Sequence, residues 1–153
     1  MGIAFGSAIA AQALYPTKRV CMVLGDSSFG FSCMEIETAA RHKMPLKVVI
    51  INNNGISFGT DQIYGDSAKE IPVHVLSPDA KYELIATAFG GIGRSVDTAE
   101  DLDASMKEML SDDRLWVLNV HIDPYSMKKE QSFKWLSTED DVQGDKKPDS
   151  AKL

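Results

Sequence analysis

The sequence predicts an α/β domain built on a parallel sheet with helices on both faces. Two observations carry this expectation. Apolar runs of strand length alternate with helix-length segments in the order α, β, α, β, α, β, α, β, and alternation of this kind calls for crossover connections between parallel strands. The run Leu46 to Asn52 (Leu-Lys-Val-Val-Ile-Ile-Asn) is a nearly continuous β-branched stretch, the pattern of a strand buried on both faces. A length of 153 residues with 44% apolar content fits one such domain.

Taken in order, Ala4 to Leu14 reads as a small-residue helix ended by Pro16. Met1-Gly2-Ile3 enters it with no preceding strand or cap, and this bare opening gives the expectation that the chain is the C-terminal part of something longer. Arg19 to Leu24 is a strand, stopped by the turn cluster Gly25-Asp26-Ser27-Ser28. Ser32 and Glu35 form the S-x-x-E pattern of a capping box and open a helix that runs to about Lys43, before Pro45. Leu46 to Asn52 is the clearest strand. Asn52 to Thr60 is a polar loop, and Asp61 to Val75 lacks strong periodicity and reads as an irregular connection. Ser77-Pro78 offers an N-cap followed by proline at the first helical position, with the helix continuing to Phe89 and ending at Gly90-Gly91. Gly93 to Val96 is a short strand, Asp97 or Thr98 caps a helix ending near Ser111, and Leu115 to Ile122 is the last strand. The expected organisation is a domain over 1–136 and a charged, Pro-containing flexible tail over 137–153.

A formal net charge of −6 argues against nucleic acid as a partner, since phosphate-binding surfaces are usually basic. No apolar run approaches the ~18 residues of a membrane span, and the N-terminus lacks the basic region of a signal peptide. Cys21 and Cys33 sit in apolar or helical patterns and read as reduced core residues. Met22, Met34, Met44 and Met109 read as core or gap-filling residues.

The residues that carry chemistry follow two strands. In parallel α/β sheets ligands bind beyond the carboxyl ends of the strands, which puts Asp26 and Asn52 to Asn54 on one rim. Asp26 offers a carboxylate, Asn53 an amide oxygen and Gly55 a backbone carbonyl, the oxygen donors that magnesium takes in near-octahedral geometry. The Ser32-capped helix is expected to point its amino end at the same region, where N–H groups and the helix dipole favour phosphate. Ser27 and Ser28 add hydroxyl and backbone donors. Either segment alone is turn chemistry more often than a site; two segments around one helix are far more specific.

The pattern is similar to the thiamine-diphosphate motif, Gly-Asp-Gly followed by two asparagines, with Ser27 at the third position. That serine narrows the match. Gly25-Asp26-Ser27-Ser28-Phe29-Gly30-Phe31-Ser32, followed by Met34-Glu35 and later by Asn52-Asn53-Asn54-Gly55-Ile56, resembles the 2-hydroxyacyl-CoA lyase and oxalyl-CoA decarboxylase family. The likeness continues through Tyr82, Ala88-Phe89-Gly90-Gly91 and Gln131 to Leu136. It implies the thiamine-diphosphate-binding domain, the half that holds the diphosphate. Asp26, Asn53 and Gly55 match magnesium ligands. Ser27 and Ser28 match positions beside the diphosphate, and Ile56 completes the cofactor-binding set of that motif. Met1 matches a methionine that supports the bent cofactor, with Gly2 and Ile3 beside it.

In such enzymes the thiazolium carbon of the cofactor attacks a carbonyl and the ring acts as electron sink. The resemblance also implies an activating glutamate from a separate N-terminal domain, usually of a partner subunit, in a homodimer or homotetramer. No residue of this chain corresponds to it, so no catalytic residue is assigned; Glu35 and Glu37 read as cap and helix surface. The implied reaction is cleavage of a 2-hydroxyacyl-CoA into formyl-CoA and an aldehyde, a step of fatty-acid α-oxidation, or the related decarboxylation of oxalyl-CoA. In the resembled enzymes the C-terminal segment approaches the acyl-CoA substrate, which makes Lys128, Lys129 and Lys134 candidates to meet its phosphates. A solvated amphipathic tail that packs Phe133 and Trp135 accounts equally for these residues. The last residues, Ala151-Lys152-Leu153, are close to the Ser-Lys-Leu address read by the peroxisomal import receptor, and suggest the peroxisome matrix. The competing reading is a catalytically silent or incomplete cofactor-binding module.

Overall fold

The computed structural model describes residues 1–56, 73–78 and 80–124. Among these residues nine elements follow in the order α1 (Ala4–Leu14), β1 (Cys21–Gly25), α2 (Asp26–Gly30), α3 (Glu35–Arg41), β2 (Lys47–Asn52), α4 (Leu84–Ala88), β3 (Ile92–Val96), α5 (Ala99–Ser111) and β4 (Trp116–His121). The four strands form one all-parallel sheet in the order β1-β2-β4-β3. In register, Leu24, Ile50, Asn119 and Ser95 lie in one row across it.

Alternation along β2 separates two cores, as the period of two dictates. Val48 and Ile50 face one side, where Phe5 and Ala8 of α1, Phe29 of α2, Ile36 and Ala39 of α3 and Ala86 of α4 pack. Val49 faces the other, with Val96, Trp116, Leu118 and Val120 beneath Met109 of α5. The parallel sheet with helices on both faces is therefore the architecture observed. Thr98 caps α5 as expected, its hydroxyl oxygen accepting from the Asp101 amide at 3.1 Å.

Several local expectations are corrected. The turn cluster after β1 is a helix, α2, whose N-cap is Gly25. The capping box does not form. The next helix starts at Glu35 with Met34 as an N-cap that makes no side-chain bond, and the Ser32 hydroxyl instead donates to the Gly2 carbonyl at 2.9 Å. Ser77-Pro78 does not start a helix. The Ala80, Leu84 and Ile85 amides reach back three residues in tight turns, and α4 begins only at Leu84. Cys21 and Met34 are exposed, not core. Cys21 and Val23 point outward from edge strand β1, and Val23 is 63% exposed. The reason is that α5 lies against β3 and β4, two strands away.

Two buried polar side chains close the amino end of the sheet. Gln12 donates to the Lys18 carbonyl at 3.0 Å and to the carbonyls of Tyr15 and Pro16 at longer range, tying down the chain that leaves α1. Lys47, fully buried, sends its ammonium to the carbonyls of Asp112, at 2.7 Å, and Arg114. Burial pushes the Lys47 ammonium below its ordinary 10.5, against the raising influence of Asp112. The folded chain thus binds this proton more weakly than the unfolded chain, and stability rises with pH up to 10.5. Lys47→Met is expected to lower stability by about 1–3 kcal/mol near neutral pH, because two carbonyls lose their donor. It should also flatten the climb in urea midpoint on going from about pH 7 to about pH 10. Equal slopes in the two proteins would contradict this account of Lys47.

Candidate cofactor site

The two motif segments meet at the carboxyl end of the sheet. β1 and β2 are adjacent and parallel, so Asp26 just past β1 and Asn53 to Gly55 just past β2 emerge side by side. The contact is direct. The Asp26 carboxylate accepts from the Gly55 amide at 3.0 Å on one oxygen and from the Ser27 amide at 2.7 Å on the other. Asp26 is completely buried. Burial raises its carboxyl above the ordinary 3.8, while the amides of Ser27, Gly55 and Asn54 pull the other way. None of the salt bridges among the described residues involves Asp26. A buried carboxylate held by amides and lacking a counter-cation favours an incoming cation, since isolated buried charge is costly.

The loop after β2 is held from three sides. Asn54 adopts a positive φ of 61°, a conformation asparagine tolerates better than most residues. Its amide donates to the Asn52 side chain at 3.0 Å. Gly55 forms an isolated antiparallel bridge with Val75, with the Ile56 amide on the His74 carbonyl at 2.8 Å and the Leu76 amide on the Asn54 carbonyl at 2.9 Å. The side-chain oxygen of Asn54 is buried without a hydrogen-bond partner. An orphaned amide oxygen one residue beyond Asn53, beside a buried carboxylate, is the donor chemistry that a hard cation takes. No cluster of three or more His, Cys, Asp or Glu occurs among the described residues, so the donor set is an oxygen set with a single acid.

Phe29 of α2 packs between Phe5, in a tilted contact, and Tyr82, edge to face, with ring centroids 5.8 and 5.5 Å apart. The Tyr82 phenol is raised above its ordinary value by burial first and then by the Asp26 charge. Gly2 is tied by its carbonyl to the Ser32 hydroxyl just beyond α2, and Met1 before it is exposed. The structure therefore brings Asp26, Ser27, Asn53, Gly55 and Ile56 onto one rim, with Ser28 in the first turn of α2 and Gly2 tied to the segment that follows. The helix that starts at the site is α2, not the Ser32-initiated one. Its Ser27 amide is already bonded to Asp26, and the hydroxyls of Ser27 and Ser28, both half-buried, join the first-turn Ser28 amide as donors on that side. Glu35 is exposed and Glu37 pairs with Arg41 at 3.0 Å, consistent with helix surface. Lys128, Lys129, Lys134 and Ala151-Lys152-Leu153 lie outside the described residues.

Sequence reasoning missed three residues behind the rim. Asn119, buried in β4, accepts from the Asn52 amide group at 3.1 Å and donates to Glu83 at 2.9 Å. Val75, read as irregular connection, bridges Gly55. The available signal was Asn119 itself, the single polar residue in Leu-Trp-Val-Leu-Asn-Val. No helix among the described residues is long and apolar enough to cross a membrane.

Comparison with known proteins fits this geometry. Residues 1–120 match the family model described as "Thiamine pyrophosphate enzyme, C-terminal TPP binding domain". The chain is 39% identical over 145 residues to 2-hydroxyacyl-CoA lyase 1 of Mus musculus, covering 90% of this chain and 25% of that protein. It is 36% identical over 124 residues to oxalyl-CoA decarboxylase of Escherichia coli K12, covering 81% of this chain and 22% of the relative. The fold is similar to that of the thiamine diphosphate-dependent 4-hydroxybenzoylformate decarboxylase of Rhodococcus jostii. The TM-score is 0.64 at 23% identity, over 84% of this chain and 24% of that one. The chain spans about a quarter of the length of the curated relatives it matches.

Gly2 holds a φ of +84°, and a Cβ there would stand 3.1 Å from the Cβ of Phe31. Gly2→Ala is expected to lower stability by about 1–2 kcal/mol in urea titrations. Gly30→Ala, with open space around it, should be neutral or stabilising by up to about 1 kcal/mol. Equal effects from the two would show that the left-handed geometry at Gly2 is not maintained.

Proposed function

The chain belongs to the thiamine pyrophosphate enzymes as their C-terminal TPP-binding domain, and from that premise we propose that it holds the diphosphate of thiamine diphosphate through magnesium, within a carbon–carbon lyase acting on acyl-CoA. The observation that carries this reading is the fully buried Asp26 carboxylate, bonded to the Gly55 amide and lacking a cationic partner among the described residues. Asp26, Asn53 and Gly55 are the proposed ligands. Asp26 brings the single negative charge, and the loop brings neutral oxygens that cause little repulsion with phosphate. Ser27 and Ser28 would offer their hydroxyls to the diphosphate, Ile56 would complete the cofactor-binding set after the loop, and Met1 and Gly2, which precede α1, would support the cofactor.

When bound, thiamine diphosphate supplies a nucleophilic carbon and an electron sink. This chain's own part is to bind and orient. The Gly55 amide fixes the Asp26 carboxylate in one rotamer, and the Val75 bridge fixes the loop. The substrate proposed is a 2-hydroxyacyl-CoA, split into formyl-CoA and an aldehyde as in fatty-acid α-oxidation, with oxalyl-CoA the alternative. The relatives named 2-hydroxyacyl-CoA lyase and oxalyl-CoA decarboxylase support this pair. Lys128, Lys129 and Lys134 are the proposed contacts to the coenzyme A phosphates, in a homo-oligomer of the complete enzyme. Ala151-Lys152-Leu153 are the proposed address for the peroxisome matrix.

Magnesium with thiamine diphosphate is expected to raise the melting temperature of the chain, by several degrees at about a hundredfold excess over the dissociation constant. Asp26→Ala should abolish the shift. A shift of equal size in Asp26→Ala would overturn the assignment. Separately, a tagged chain carrying Ala151-Lys152-Leu153 should enter peroxisomes and a version lacking Leu153 should not; the same distribution for both would reject the address.

A further inference from the structure

The loop at the site is linked to the chain packed over β3 by a line of hydrogen bonds between buried side chains. Glu83, just before α4, accepts from the Asn119 side-chain nitrogen at 2.9 Å. The Ala80 carbonyl accepts from the same nitrogen at 3.3 Å. The Asn119 oxygen accepts from Asn52 at 3.1 Å, and the Asn52 oxygen accepts from the Asn54 amide at 3.0 Å. One residue on, the Gly55 amide donates to Asp26. Asn52 and Asn119 are 1% and 0% exposed, and Glu83 is 7% exposed.

We propose that Asn119 and Glu83 are positioning residues that set the conformation of the Asn53–Gly55 loop through Asn52. The argument is one of polarity. A carboxylate and a carbonyl only accept, so Asn119 must turn its nitrogen toward Glu83 and Ala80. Its oxygen then faces Asn52, which must present its nitrogen. The Asn52 oxygen is thereby left facing the loop, where it receives the Asn54 amide and holds the backbone at its positive φ. Two amides whose orientation is otherwise ambiguous are thus oriented by one acid at the far end of the line. Glu83 in turn needs Gly93. A Cβ at residue 93 would stand 2.0 Å from the Glu83 carbonyl, so only glycine in β3 lets the start of α4 sit this close to the sheet.

This inference takes the loop as the metal-holding element proposed above, but the tie itself exists without a metal. Two readouts on the whole 153-residue chain keep them apart. In Asn119→Leu, amide hydrogen exchange at Asn54 and Gly55 is expected to accelerate about tenfold or more, while Val49 and Leu118 in the sheet keep their protection. The dissociation constant for thiamine diphosphate with magnesium should rise by a similar factor. Glu83→Gln, which still offers an accepting oxygen, should stay within about twofold of wild type in both measurements. Unchanged exchange at Asn54 and Gly55 in a folded Asn119→Leu protein overturns the proposal. If Asn119→Leu does not fold, Glu83→Leu decides: local acceleration at Asn54 and Gly55 upholds it, and uniform or absent acceleration rejects it. Local acceleration in a chain whose wild type does not bind thiamine diphosphate with magnesium would uphold the tie and reject the function proposed for the loop.

Discussion

The bond from the Gly55 amide to the Asp26 carboxylate joins the two segments on which the site depends. Adjacent parallel strands bring their carboxyl ends to the same rim, but they do not fix the loops beyond them. This contact does, and it holds a carboxylate beneath the surface. The surrounding arrangement follows from that placement. Amides must point at both carboxylate oxygens, the loop must expose its N–H groups inward, and a residue tolerant of positive φ must stand at 54. The rim is organised around an unfavourable burial that a bound cation would relieve.

Much of this was legible in the sequence. The β-branched run at Leu46 to Asn52 identified a doubly buried strand, and its two faces are the two cores. The strand order put Asp26 and Asn52 to Asn54 on one rim, and Gly55, the next residue, bonds Asp26 directly. What failed were readings that took a local pattern as sufficient. Ser32 and Glu35 have the spacing of a capping box, but the Ser32 hydroxyl is taken by the Gly2 carbonyl, thirty residues away. Ser77-Pro78 has the composition of a helix start, but the chain there makes tight turns whose Ala80 carbonyl accepts from Asn119. In both cases a partner distant in sequence outbid a weak local preference. Cys21 was misread for a different reason. Periodicity tells which residues share a face, and cannot tell which face is covered when a helix lies over the other half of the sheet.

The buried asparagines illustrate the same limit. A polar residue in an apolar strand signals that a partner must exist, since burial without one is costly. The partner's identity depends on strand order. In the order β1-β2-β4-β3, β4 lies between β2 and β3, so Asn119 stands between Asn52 and the chain packed over β3. The glycine at 93 and the acid at 83 become related only through that topology.

Edge strand β1 has a practical consequence. Among the described residues its outer edge has no paired neighbour, and Cys21 and Val23 stand bare on one face. Unpaired edges with apolar faces are templates for self-association. Handling the chain in isolation therefore calls for a blunted edge, with lysine at 23 as the natural gatekeeper and a small inert residue at 21. Both positions lie on the side of the sheet away from Phe29, so such a solubilising pair leaves the aromatic support of the rim untouched.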